Sequence, residues 1–366
     1  MSSTAPSSPN SLPRILMASL IGTAIEYFDF YIYGTAAVLV FPKLFFPQAN
    51  ATASTLESLA TFGLAFFARP IGGAFFGHLG DRIGRKATLV AALLTMGPCT
   101  VAIGLLPTYA SIGIAAPILL ALMRFGQGLG LGGEWGGAVL LAMENAPPEK
   151  RGRYGMFPQL GAPLGLFLSS TTFLLLTNYF SDADFLSYGW RIPFIASGIL
   201  VWVGLYVRLR LTETPDFIQV LRNNERVRFP ALDTFRFHTG RLFIGIFSAV
   251  TTFLIFYLMT VFTLNWATQS LGYTRNFYLN TQILSVFFFA AGIPLSAYFS
   301  DRWGRMTTLL GTTLLILFFG LTFSYLFTSG QEILVIFFQT LGMFLMGLTY
   351  GPLGTALAEI FPVQVR

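Results

Sequence analysis

Long apolar stretches alternate with short polar connections along almost the whole chain of 366 residues. A membrane-spanning helix needs about 20 mainly apolar residues, and ten stretches meet that requirement. They lack the period-two alternation of transmembrane strands, so the pattern predicts an all-α protein that crosses a membrane repeatedly. The predicted helices cover residues 15–41, 55–78, 88–106, 112–143, 155–178, 190–208, 242–268, 277–299, 307–328 and 333–358.

A charged turn occurs twice, each time between two apolar stretches. Its first copy contains Asp81, Arg82, Gly84 and Arg85, and the second contains Asp301, Arg302, Gly304 and Arg305. A second pair of motifs repeats at nearly the same offset, with Glu144 and Arg151 matched by Glu359 and Arg366. The chain is therefore predicted to contain two copies of one membrane unit, an organisation typical of secondary transporters.

The composition excludes several other classes. Hydrophobic residues make up 54% of the chain and charged residues only 10%, too few charges to cover a soluble protein of this size. The net charge of +6 comes from basic residues in short loops, which argues against nucleic acid as a partner. Cys99 is the single cysteine, and His78 and His238 are far apart, so we expect no metal site. The glycine-rich run 128–133 follows no strand, so we expect helix packing there and no cofactor.

The distribution of Lys and Arg predicts the orientation. With the N-terminus in the cytoplasm, 17 basic residues fall in cytoplasmic segments and three, Lys43, Arg191 and Arg275, fall outside. Basic loops stay in the cytoplasm, so we expect a multi-pass protein of the inner or plasma membrane with a cytoplasmic N-terminus. The predicted domains are a disordered cytosolic tail 1–14, a six-helix half 15–208, a cytoplasmic central loop 209–241 and a second half 242–366.

Several motifs resemble those of the major facilitator superfamily, and within it the metabolite:proton symporter family. The two charged turns resemble the superfamily's signature loop and its copy. More specific are Glu26-Tyr-Phe-Asp29 in the first helix, Ala68-Arg69-Pro70 in the second and the run from Arg124 to Glu134 in the fourth. The resemblance implies a two-fold repeated bundle of twelve helices, of which this sequence contains ten. We expect either an incomplete sequence or truncated gene that lacks helices eleven and twelve, or a genuine ten-helix product.

Five charged residues lie inside predicted helices, namely Glu26, Asp29, Arg69, Arg124 and Glu134. Such charges are costly in a membrane and are usually paired or functional. Glu26, Asp29 and Tyr33 share one face of the first helix, and Arg124, Gln127 and Glu134 share one face of the fourth. Helical rise places Glu26, Arg69 and Glu134 at similar depth, whereas Arg124 and Glu134 are too far apart along the helix to pair.

Two interpretations of these charges remain open. In the functional one, Arg69 or Arg124, with Gln127 and Tyr33 nearby, binds a substrate carboxylate, while Glu26, Asp29 or Glu134 carries a proton. A low-dielectric interior favours the neutral form of a carboxyl group, which would make proton uptake possible. In the alternative, the charges form a static network that holds helices one, two and four together.

The resemblance also implies a cytoplasmic gate. In it, Asp81 contacts a helix N-terminus or arginines of the other half, with Arg82 and Arg85 beside it. By the internal symmetry we expect the same of Asp301, Arg302 and Arg305. Companion contacts are expected from Glu144, Arg151, Glu359 and Arg366.

Together these features predict a proton-coupled symporter that imports a small polar metabolite by alternating access. No enzymatic chemistry is expected. An organic carboxylate is the favoured substrate, followed by a zwitterionic osmolyte such as proline or betaine. The alternatives are a uniporter for a neutral solute such as a sugar and a non-transporting, truncated membrane protein. We expect substrate, protons and lipid as partners and a monomeric state.

Overall fold

The computed structural model describes residues 12–47, 50–210 and 238–361, with the side chains of Asp81, Arg82, Arg85 and Glu144 outside the description. Throughout these ranges the regular structure is helical. The ten long helices are α1 (Leu12–Leu39), α2 (Ala51–Ile83), α3 (Arg85–Leu105), α4 (Ala115–Glu144), α5 (Arg151–Tyr179), α6 (Arg191–Leu209), α7 (Thr239–Gln269), α8 (Arg275–Trp303), α9 (Arg305–Gly320) and α10 (Glu332–Ile360).

All ten predicted helices are present, with shifted ends. α1 begins at Leu12, so residues 12–14 of the predicted tail are helical; Pro13 fits there because a first-turn N–H has no partner within the helix. α7 contains a π-helical turn at Leu258–Phe262. Nine of the ten are long and apolar enough to span a membrane within the described ranges.

The ninth helix is shorter than predicted. Residues 307–328 were expected as one span, but α9 ends at Gly320 and a separate short helix follows at Phe323–Leu326. The Thr322 hydroxyl donates a hydrogen bond to the Phe319 carbonyl oxygen at 2.7 Å, in the turn between the two helices. At this turn the backbone N–H groups of Leu321 and Thr322 donate to the carbonyl oxygens three residues earlier, at 3.2 Å and 3.0 Å. This is a tighter pattern than that of an α-helix, and hydropathy does not reveal it.

The two copies of the charged turn have the same backbone geometry. Gly84 joins α2 to α3 with φ of 102°, and Gly304 joins α8 to α9 with φ of 92°. Residues with a Cβ rarely adopt such angles, so each turn requires glycine. The sequence repeat therefore corresponds to a repeated structural element.

The helices pack in two groups. In α1–α6, α1 packs along α5, and α4 packs against both α2 and α3; in α7–α10, α10 contacts α7, α8 and α9. The groups meet mainly along α5 and α8, with further contacts of α10 with α4 and α5. We call this boundary the seam.

Burial differs strongly between helices. The apolar window of α1 is 83% buried and that of α7 only 28% buried. The exposed surface of α7 is apolar, so lipid is the medium that suits it. We call the end of the bundle where α1 begins the inner face and the opposite end the outer face, following the predicted orientation.

Candidate functional site

Helix α1 carries two carboxylates into the interior of the bundle. Glu26 is 0% exposed and Asp29 is 1% exposed. The two residues are three positions apart and therefore point about 60° away from each other around the helix axis. This rotation directs the two carboxylates toward different neighbouring helices.

Glu26 faces α2. Its Oε1 lies 4.0 Å from Nη2 of Arg69, whose side chain is 23% exposed. Neither carboxylate oxygen has a hydrogen-bond partner among the described residues. The Arg69 guanidinium lies 5.3 Å from the centre of the Phe30 ring, whose own centre lies 6.1 Å from that of Tyr257 in α7. Glu26 and Arg69 therefore form a loose ion pair beside the seam, in agreement with their predicted similar depth.

Asp29 faces α3 and α6. Its Oδ2 accepts a hydrogen bond of 2.9 Å from the Thr100 hydroxyl, and its Oδ1 accepts one from the Ser197 hydroxyl. Asp29 is therefore directed away from Arg69, which lies next to Glu26. The rotation between positions 26 and 29 explains the difference, since a shared helix face is too broad to specify one neighbour.

Arg124 occupies an aromatic cage. Its guanidinium carbon lies 4.1 Å from the Tyr33 ring centre, 4.8 Å from that of Phe62 and 5.1 Å from that of Phe30. Nη1 donates to Gln127 Oε1 at 3.0 Å, and Nη2 has no hydrogen-bond partner within the described part of the chain. The cage stabilises a cation through the faces of its rings.

A chain of hydrogen bonds connects Arg124 to Asp29. Gln127 accepts from Arg124 and donates through Nε2 to the Thr100 hydroxyl oxygen at 2.7 Å. Thr100 in turn donates to Asp29. Tyr33 forms part of the cage, and its hydroxyl donates to Thr61 at 2.8 Å. The predicted residues Arg124, Gln127, Tyr33 and Asp29 thus belong to one polar cluster within α1–α6.

Glu134 pairs with Arg208, at the end of the sixth predicted helix, which was not among the five charges expected inside the bundle. Arg208 of α6 forms a salt bridge with Glu134, and its Nη1 donates to the Leu89 carbonyl oxygen at 2.8 Å. Arg208 is only 4% exposed. The sequence contains one indication that Arg208 is buried, namely its position inside an apolar run that continues to Leu209. Thr100 and Ser197 were also missed, because single hydroxyls in apolar helices carry no distinctive pattern.

Aromatic and amide side chains close the seam near Glu26. The hydroxyl groups of Tyr27 in α1 and Tyr350 in α10 are hydrogen-bonded to each other. The ring of Phe256 in α7 stacks on Tyr31 at 5.6 Å and on Tyr350 at 6.0 Å. Gln159 of α5 donates to the Tyr350 carbonyl oxygen at 2.6 Å. The two groups of helices are therefore in direct contact at the level of the ion pair.

At the inner face, Asp301 of α8 connects the two groups of helices. It accepts hydrogen bonds from the backbone N–H groups of Gly152 at 2.9 Å and Arg153 at 3.1 Å, at the start of α5. Arg305 lies 2.6 Å from Asp301 and 3.3 Å from Glu359. A carboxylate at a helix N-terminus is a favourable arrangement.

The structure shows less about the contacts of the other predicted gate residues. Arg302 is exposed, and Nε of Arg151 is buried without a hydrogen-bond partner among the described residues. The side chains of Asp81, Arg82, Arg85 and Glu144 lie outside the described part of the structure, as does Arg366. Their part in a gate stays a prediction.

Comparison with known proteins identifies the family. The family model described as "Major Facilitator Superfamily" matches residues 19–366. The chain belongs to the major facilitator superfamily. The resemblance noted in the sequence is thereby confirmed, as is the all-α membrane fold.

Relatives within the superfamily are named as transporters. The chain is 55% identical to the inner membrane metabolite transport protein YhjE of Escherichia coli, over 98% of the chain and 82% of that protein. It is 40% identical to the shikimate transporter of Escherichia coli, over 82% of the chain and 69% of that protein. It is 32% identical to the proline/betaine transporter of Escherichia coli, over 97% of the chain and 73% of that protein.

Solved structures agree with the fold. The proton:xylose symporter XylE superposes with a TM-score of 0.75 at 17% identity, covering 97% of the chain and 83% of XylE. The family match and the relatives together show a membrane transporter of metabolites and not an enzyme.

Proposed function

We propose that the chain imports a small organic carboxylate together with a proton, that Glu26 carries the proton and that Arg69 binds the carboxylate. One observation carries the proposal. Glu26 is fully buried, neither of its oxygens has a hydrogen-bond partner among the described residues, and its nearest cation, Arg69, is 4.0 Å away beside the seam.

The environments of the three acidic candidates favour Glu26 over the others. Asp29 receives hydrogen bonds from two hydroxyl groups, and Glu134 has a salt bridge with Arg208. Both carboxylates therefore already have hydrogen-bonding or ionic partners within α1–α6. Glu26 has no such hydrogen bonds, so its charge is compensated mainly by Arg69.

This pairing suggests how proton and substrate are coupled. While Glu26 is charged, it competes with a substrate carboxylate for Arg69. Protonation of Glu26 removes that competitor and leaves a partly exposed guanidinium that can form a two-pronged contact with a carboxylate. Binding beside the seam would then favour the rearrangement of the two groups of helices, because the ligand contacts differ between the two states.

The substrate class is supported by the charges and by the relatives. Arg124 is a fully buried cation with no salt bridge to a carboxylate among the described residues, so the interior can accommodate an additional anion. Shikimate, proline and betaine, named for two of the relatives, each contain a carboxylate group. A carboxylate is therefore the feature shared by the favoured substrate and the zwitterionic alternative.

The cellular setting completes the proposal. The excess of basic residues in the predicted cytoplasmic segments supports a cytoplasmic N-terminus. The name of YhjE supports the inner membrane as the location. In that orientation the proton gradient would drive uptake, with about 1.4 kcal/mol available per pH unit.

The test is uptake of labelled shikimate and proline into liposomes that contain the purified protein, with and without an imposed pH gradient. We expect Glu26→Gln to abolish gradient-driven accumulation but to retain exchange between equal concentrations, since the amide cannot titrate. Arg69→Ala should lose both activities, and Arg69→Lys should retain weakened exchange. Glu57→Gln, which changes an exposed carboxylate at the start of α2, is the matched control.

Three outcomes would contradict the proposal. Accumulation by Glu26→Gln would place proton coupling elsewhere, with Asp29→Asn and Glu134→Gln the next variants to measure. Uptake of a neutral sugar without any effect of the pH gradient would favour a uniporter. Binding without uptake of any solute would favour a non-transporting protein.

A further inference from the structure

A cavity of about 320 Å³ opens at the outer face, on the seam. Leu39 and Lys43, at and just beyond the end of α1, form one wall. The other wall consists of Thr268 and Gln269 at the end of α7, together with Tyr273, Thr274 and Arg275 just before and at the start of α8. The cavity thus has walls from both groups of helices and lies at the end of the bundle away from the inner contacts of Asp301.

The charge of this cavity is unusual for the outer face. The sequence places only three basic residues there, and two of them, Lys43 and Arg275, line this cavity. The third, Arg191, donates hydrogen bonds to the carbonyl oxygens of Gly104 at 2.8 Å and Leu106 at 2.7 Å, so it has a structural role.

The two cations have different partners. Arg275 is held by Asp182 at 2.5 Å and faces the ring of Phe185, 5.7 Å from its centre. Lys43 is exposed and has no salt bridge or hydrogen bond from its ammonium group among the described residues. Lys43 therefore supplies the uncompensated positive charge of the cavity.

Tyr273 adds a donor. Its hydroxyl group is buried and has no hydrogen-bond partner among the described residues. The ring stacks on Phe277 at 5.0 Å, which restricts its orientation. A buried hydroxyl without a partner is uncommon and costly unless a ligand or water supplies one.

We propose that this cavity is an anion-capture site that binds a carboxylate at the outer face before it reaches Arg69. Lys43 provides the charge, and Tyr273 donates a hydrogen bond to a carboxylate oxygen. The inference rests on the proposed import of carboxylates. A positive site at the mouth of a transport path raises the local concentration of an anion and its rate of entry.

The first experiment measures the charge of the cavity without transport. Gln269→Cys in a Cys99→Ser background introduces a thiol into the wall, and its rates of reaction with an anionic and a cationic methanethiosulfonate reagent are compared. We expect Lys43→Gln to lower the anionic-to-cationic rate ratio about three- to tenfold. A unit charge about 6–13 Å away would do this in surroundings close to water, because it acts in opposite directions on the two reagents. Lys43→Arg keeps the charge and should therefore keep the original ratio. Arg241 is exposed at the opposite face, so Arg241→Gln should leave the ratio unchanged.

The second experiment tests occupancy with shikimate as the probe. Shikimate, but not an equal concentration of a neutral sugar, should slow modification of the thiol at position 269. The protection should be lost in Lys43→Gln, weakened in Tyr273→Phe and preserved in Glu26→Gln, because capture precedes proton coupling. An unchanged rate ratio in Lys43→Gln, or no protection with Lys43 present, would overturn the capture site. Failure of the proton-coupling proposal would instead appear only as accumulation by Glu26→Gln.

Discussion

Asp301 accepts a hydrogen bond of 2.9 Å from the backbone N–H of Gly152, so a carboxylate of α8 caps the first turn of α5. The contact joins the two groups of helices at the inner face, where an inward-opening rearrangement would have to separate them. Because the cap combines a charge with a helix N-terminus, its strength depends on the ionised form of Asp301.

We predict that Asp301→Asn favours opening of the inner face. Loss of a charge at a helix N-terminus costs about 1 kcal/mol, which is roughly a fivefold change in the equilibrium between the closed and open states. Thr355, which is buried near Gly155, is replaced by cysteine in a Cys99→Ser background. Opening of the inner face should raise the rate at which this thiol is modified. Glu332→Gln, at the outer face, serves as the control, and an unchanged rate in Asp301→Asn would contradict a gating role.

The salt bridge between Glu134 and Arg208 should contribute to stability as a pair. Their side chains are 1% and 5% exposed, so Arg208→Gln leaves a buried carboxylate without its cation. We expect Arg208→Gln to lower the free energy of unfolding by about 3–5 kcal/mol. Circular dichroism during unfolding in detergent measures the change.

The double variant Glu134→Gln, Arg208→Gln distinguishes pairing from independent effects. Because neither charge then remains buried, it should be more stable than Arg208→Gln alone. Destabilisation equal to the sum of the two single variants would show that the residues do not act as a pair.

Close packing of α2 on α4 depends on Gly72. A Cβ atom added at Gly72 would lie 2.8 Å from the Leu129 Cα, which belongs to the backbone and cannot rotate away. Gly72→Ala should therefore destabilise the protein by at least about 1–3 kcal/mol. Gly63→Ala, in the same helix but with no atom outside the adjacent backbone within 4 Å of the added Cβ, should be neutral or stabilising. Equal unfolding curves for the two variants in detergent would rule out this packing.

Topology can be tested with thiols in the Cys99→Ser background. Ser111→Cys and Ser329→Cys lie at exposed positions of the outer face, and Gly240→Cys lies at an exposed position of the inner face. If the N-terminus is cytoplasmic, a membrane-impermeant reagent should label the first two in intact cells and the third only after permeabilisation. Labelling of position 240 in intact cells would reverse the orientation.

The sequence alone determined the class of fold and most of the helices. Lipid requires long apolar helices whose backbone hydrogen bonds are satisfied internally, so each span is encoded locally in about 20 residues. The repeated turn was also readable from the sequence, because Gly84 and Gly304 adopt backbone angles that only glycine adopts readily. The end of α9 could not be read from the sequence, because it depends on one turn that hydropathy does not record.

The partners of the buried charges were decided only by the tertiary structure. Glu26 pairs with Arg69, yet Asp29, one turn away, turns to Thr100 and Ser197, and Glu134 pairs with Arg208, 74 positions along the chain. Such contacts depend on the rotation and register of helices that are distant in sequence. Neither quantity is encoded in the apolar periodicity of a single span, because every rotation that buries the polar side chains in the bundle satisfies the same pattern.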